Sequence, residues 1–151
     1  MRTWRRHVCI TALLMLAYWG AATTHAASCE SDKAAVVSGR IVVFFAPSQT
    51  EYDRLIGDAR DAATEALSDF LVYSQRLGEY LNGRGISHFM TSAERVEVRR
   101  AGQEPVCFVR SHTGDQFGAI LSDGQSVPQV ILGVITDEDA IPVVERYFST
   151  R

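Results

Sequence analysis

Residues 40–53 read Arg40-Ile41-Val42-Val43-Phe44-Phe45-Ala46-Pro47-Ser48-Gln49-Thr50-Glu51-Tyr52-Asp53, and the rest of the chain is organised around them. From Ile41 to Phe45 the run is apolar, β-branched and aromatic, the composition of a buried central strand. Pro47 breaks it. Ser48 followed three residues later by Glu51 has capping-box spacing, so a helix starts near Thr50. In α/β folds the carboxyl end of such a strand is where chemistry gathers. Here that place carries Ser48, Gln49, Thr50 and Glu51, with no nucleophile-and-base pair. No Gly-x-Ser-x-Gly surrounds Ser48, and a helix cap already accounts for it.

Working outward, the amino-terminal residues have the layout of a secretory signal peptide. Arg2, Arg5 and Arg6 are followed by an apolar run from Val8 to Trp19 and small residues to Ala27. The run is short of the roughly 20 residues that a membrane-spanning helix needs. Residues 1–26 are therefore read as a leader cut after Ala26 or Ala27, residues 27–39 as an N-terminal tail, and residues 40–151 as one domain. Cleavage takes the formal charge from −3 to −6, because three arginines and no acid depart. An acidic exported domain is a poor ligand for phosphate backbones, so nucleic acid is excluded as a partner.

The same cut removes Cys9 and leaves Cys29 and Cys107 in an oxidising compartment, periplasmic or extracellular, where two thiols pair. The competing reading is a lipoprotein, since Ala26-Ala27-Ser28-Cys29 loosely fits the small residues ahead of a lipidated cysteine. A membrane partner is expected only in that case.

After the first strand, Tyr52, Leu55, Ile56, Ala59, Ala63, Ala66, Leu67, Phe70, Ser74, Leu77 and Leu81 step by three and four, a continuous helical stripe. Gly57 divides it into a short and a long helix. Asp53, Asp58, Asp61, Glu65 and Asp69 form a solvated opposite face. Asn82-Gly83 is the expected stop. Ile86–Met90 reads as a second strand, and a helix between two strands is a crossover that makes them parallel. Arg95–Arg99 alternates charge with valine and pairs as a hairpin with Val106–Arg110; Arg95, Arg99, Arg100 and Arg110 read as ordinary surface charge.

Phe117–Leu121 and Val127–Leu132 form a second hairpin, with Asp123-Gly124 as a tight turn and Pro128 marking an edge strand. A last helix, its first turn fixed by Pro142, starts from about Asp139 and buries Ile141, Val144, Tyr147 and Phe148.

This order of elements, with Phe44-Phe45-Ala46-Pro47 before the first helix, resembles the thioredoxin-like fold. Ala119-Ile120-Leu121-Ser122-Asp123-Gly124 followed by Ile131-Leu132-Gly133-Val134-Ile135-Thr136 is similar to the family's last two strands and its entry into the closing helix. The resemblance implies an α/β, three-layer domain with a mixed sheet, parallel first strands, a C-terminal antiparallel hairpin and a terminal helix. It also implies that the family's Cys-x-x-Cys, whose thiols are activated by a helix amino end, falls on Gln49 and Tyr52. The family's proline beside that pair would fall near Gln116 and is absent, and strands stand between Thr91 and Arg110 where the family has a helix.

The expectation is a redox-inactive binding or accessory module that carries no catalytic residue, metal or cofactor. Its protein partner is met at a vacated turn of Ser48, Gln49, Thr50 and Tyr52. Two alternatives use the cysteines instead. One is a thiol enzyme built on Cys107 with His88 or His112 as base; the other is a metal site from Cys29, Cys107 and those histidines, whose spacing matches no ligand signature.

Overall fold

The computed structural model describes Cys29 and residues 34–55, 60–110 and 116–149; the leader, Asp58 and His112 lie outside them. Two mixed sheets and a layer of helices make up the fold. Strands β1 (Ala34–Ser38), β4 (Arg95–Arg99) and β5 (Val106–Val109) form a sheet in the order β1-β4-β5. Strands β2 (Arg40–Phe45), β3 (Ser87–Thr91), β6 (Gly118–Asp123) and β7 (Gln129–Leu132) form the other, in the order β3-β2-β6-β7. Helices α1 (Gln49–Leu55) and α2 (Arg60–Gly83) connect β2 to β3, and α3 (Asp137–Ser149) follows β7. Among the described residues no helix is long and apolar enough to cross a membrane.

The run 41–45 is apolar throughout because both of its faces are covered. Val42 and Phe44 pack with Phe70, Leu77 and Leu81 of α2 and with Ala140, Val144 and Phe148 of α3. Val43 and Phe45 point the other way and meet Val37, Val96 and Val98 of the three-stranded sheet, together with Ile120. As expected, β2 and β3 are parallel, β4 and β5 are an antiparallel pair, and β7 is an edge strand antiparallel to β6.

The single mixed sheet expected from the sequence is instead two stacked sheets. Gly39, at φ +77°, is the lone residue between β1 and β2 and turns the chain from one sheet into the other. Residues 34–38, within the segment read as a tail, are thus a strand of the fold, parallel to β4 and burying Val37.

Four local features also differ in detail. The helix α2 ends at Gly83 as expected, but the left-handed residue of its cap is Gly85: it holds φ +65° and its N–H bonds the Asn82 carbonyl, while the Ile86 N–H bonds the Leu81 carbonyl. These two bonds are a Schellman cap, with Ile86 and Leu81 in one core cluster. The helix α3 begins at Asp137 because Thr136 caps it, accepting the Asp139 N–H at 3.2 Å and donating to its carboxylate at 2.7 Å; Pro142 therefore lies past the first turn. Gly124 holds the expected positive φ, +78°, but the link around Asp123-Gly124 is wider than a tight turn. Leu121 is paired with Gln129, and the Asp123 carboxylate gathers the Gln125 and Ser126 N–H groups inside the wider link. Finally, the stripe on α2 is fully buried only at Phe70, Ser74, Leu77, Gly78 and Leu81; Ala63, Ala66 and Leu67 are half-buried.

Close approach of α2 to β3 depends on Gly78, where a Cβ would stand 2.6 Å from His88 Nε2. At its far end α2 is tied to α3 by the Tyr80 hydroxyl and Arg84, which donate to the same Glu145 oxygen at 2.7 and 2.9 Å.

Candidate functional site

The turn after β2 is built as the capping-box spacing predicts. The Ser48 N–H donates to Glu51 Oε2 at 2.9 Å, the Ser48 hydroxyl donates to the same oxygen at 2.8 Å, and Ser48 Oγ accepts the Glu51 N–H at 3.4 Å. The first helical bond runs from the Tyr52 N–H to the Ser48 carbonyl at 2.8 Å. Two otherwise orphaned donors at the helix start are satisfied in this way.

Beneath the turn lies Arg110, which the sequence reading had placed among surface charges. It is buried, at 6% exposure. Its Nη1 donates to the carbonyls of Ala46 at 2.8 Å and Ser92 at 3.1 Å, and its Nη2 to both oxygens of Glu51 at 3.0 Å. Its own N–H bonds the Glu94 carbonyl. One guanidinium thus joins the end of β2, the start of α1, the β3–β4 connection and the end of β5. The signal in the sequence was an arginine closing the apolar run Val106–Val109, where a planar fork of donors suits several converging acceptors.

The Glu51 carboxyl is held below its ordinary value. The Ser48 N–H is the largest cause and the Ser48 hydroxyl the next; Arg110 adds to both, and burial opposes them.

Of the predicted turn residues, Gln49 and Thr50 are exposed and Ser48 is half-buried. The Gln49 amide donates to Asp53 Oδ1 at 3.0 Å along the helix. Tyr52 is not displayed: it is 4% exposed, and its hydroxyl is buried with no hydrogen-bond partner among the described residues. The surface of the turn is therefore an amide and a hydroxyl over a core tyrosine. Among the described residues both cysteines are joined in a disulfide, so neither offers the turn a free thiol.

Cys29 and Cys107 are joined to each other, with Cα atoms 5.6 Å apart and a separation of 78 in sequence. Cys107 is on β5, whereas His88 faces α2 from the other sheet, its ring edge-on to Phe44. The structure does not bring these two together. Among the described residues no three His, Cys, Asp or Glu side chains are grouped as metal ligands.

No protein-family model, curated protein or solved structure matches the chain. The geometry of the turn stands by itself as the ground for a functional reading.

Proposed function

We propose that this protein is an exported, redox-inactive thioredoxin-like domain that works as a binding or accessory module through the turn at Ser48, Gln49 and Thr50. The observation that carries the reading is the capped helix start at the carboxyl end of the central strand β2, fixed from below by Arg110 and exposing Gln49 and Thr50 in place of thiols. Parallel β2 and β3 joined through a helix, the antiparallel β6–β7 pair and the closing helix α3 support the thioredoxin-like description. Export is supported by the leader-like residues ahead of Ser28. A soluble product is supported over a lipid anchor, because the Cys29 sulfur is engaged by Cys107.

The bound species is a protein. The turn is polar and exposed at Gln49 and Thr50, and its amide and hydroxyl match the backbone and side-chain groups of another chain. Two measurements test the proposal together. The mature protein leaves the rate of insulin reduction by dithiothreitol unchanged; turnover that survives Cys107→Ser overturns redox inactivity. A photo-crosslinker at Gln49 or Thr50 yields a discrete adduct in the exported fraction that the same crosslinker at Asp69 does not. Equal labelling from all three positions, or none, removes the turn as the binding surface.

A further inference from the structure

Strand β1 is attached to the protein by few interactions. Among the described residues it pairs only with β4, over Ala34–Ser38, and Val37 alone of its residues is fully buried. At its carboxyl end the single residue Gly39 separates it from β2, which belongs to the other sheet. Ahead of its amino end the chain is pinned at Cys29.

The pin is on the far side of β4. Val36 of β1 is level with Glu97 of β4, and Glu97 with Cys107 of β5, a row across all three strands. Side chains alternate along a strand, and Phe108 faces the interface between the sheets, so Cys107 faces away from it. Both cysteines are half-buried, within reach of an external thiol.

We propose that the Cys29–Cys107 bridge is a redox latch on β1. An external dithiol attacks the bridge, passes through a mixed disulfide and departs as its own disulfide. Its two electrons and two protons end on Cys29 and Cys107 as thiols. Without the pin, β1 keeps one ladder of backbone bonds and one buried valine, and a strand tied down at a single end frays. Reduction releases β1 from β4, while the four-stranded sheet and its helices stay folded. The freed edge of β4 carries Val96 and Val98, whose side chains are buried when the latch is closed.

Hydrogen exchange on the intact protein, oxidised and then reduced with dithiothreitol, tests this. Closing so long a loop also stabilises the whole fold, so the readout is the difference between elements. On reduction the amides of Ala35–Ser38 accelerate at least about tenfold more than those of Val42–Phe45, and lose their dependence on denaturant as local openings do. The Cys29→Ser variant shows the same pattern without reductant, and reoxidation restores the wild type. Equal acceleration of all elements, no acceleration of β1, a bridge that resists dithiothreitol in the folded protein, or a reduced protein that fails to fold would each overturn the latch.

Discussion

Arg110 is a charge in the interior that donates to two backbone carbonyls and to both oxygens of the Glu51 carboxylate. Its own side chain is 5% exposed and that of Glu51 is 40% exposed. Removing it strands the carboxylate and two carbonyls under the turn. Arg110→Ala should therefore cost about 3 kcal/mol, the low end for breaking a buried pair because water still reaches Glu51. Urea unfolding midpoints measure the loss. Glu51→Gln should cost less, about 1–2 kcal/mol, since glutamine also closes a capping box. The pH dependence has a fixed sign. The folded-state pKa of Glu51 lies below its ordinary value of 4.5, so its contribution is complete above that value and is lost as pH falls through the lower, folded one. The gap between wild type and Glu51→Gln should stay constant through neutral pH and close in acid. The cap itself was legible, because Ser48 and Glu51 are three residues apart. Arg110 was legible only as an arginine closing an apolar run, because burial of a charge depends on acceptors brought from three separate segments, which no local pattern records.

At the scale of elements, strands and helices follow periodicity, and the ends follow contacts. The helix α2 stops at the Asn82-Gly83 signal, yet the left-handed residue is Gly85, placed where Ile86 can reach back over Leu81. The two glycines should respond oppositely to alanine. Gly85→Ala places a Cβ at positive φ and should destabilise by about 1 kcal/mol. Gly83→Ala meets nothing within 4 Å and, as a helical position, should stabilise by about 0.5–1 kcal/mol. Thermal melts of the two variants should shift in opposite directions; equal signs would mean that the cap is misplaced. The same reasoning explains α3. Pro142 lacks an N–H donor and so favours a place near a helix start, but it does not fix where the helix begins, and the Thr136–Asp139 pair supplies the start two residues ahead of the expected one. Asp123-Gly124 looked like a tight turn because the dipeptide suits one, but Asp123 is still paired with Arg40 of β2, so β6 runs on past the end of its ladder with β7.

For the whole molecule, the sequence carried the parallel β2–β3 unit, both hairpins and the closing helix, since each follows from chain order and local pattern. The stacking of two sheets was hidden, because the residues of β1 read as a tail ahead of the domain and only strand pairing shows that β1 and β2 belong to different sheets. What remains to be tested is whether the turn is a vacated thioredoxin-like site, and that is a claim about how β2, α1 and Arg110 sit together. Positions 49 and 52 are one turn apart on α1, and residues so spaced have Cα atoms close enough for a disulfide. The variant Gln49→Cys with Tyr52→Cys should form that bond under mild oxidant, with the linked peptide identified by mass spectrometry. The native bridge is left in place, because loss of a buried tyrosine alone should cost about 3–5 kcal/mol and the fold needs its remaining brace. Before oxidant is added and with no reductant present, Gln49→Cys is the exposed thiol, and the free backbone amides of the helix start should hold its alkylation pKa below the unperturbed value of about 8.5. The thiol from Tyr52→Cys, in the interior, should show no such fall. A pair that stays reduced in a protein with native circular dichroism, or a residue-49 thiol that titrates normally, would separate this turn from the thioredoxin-like active site.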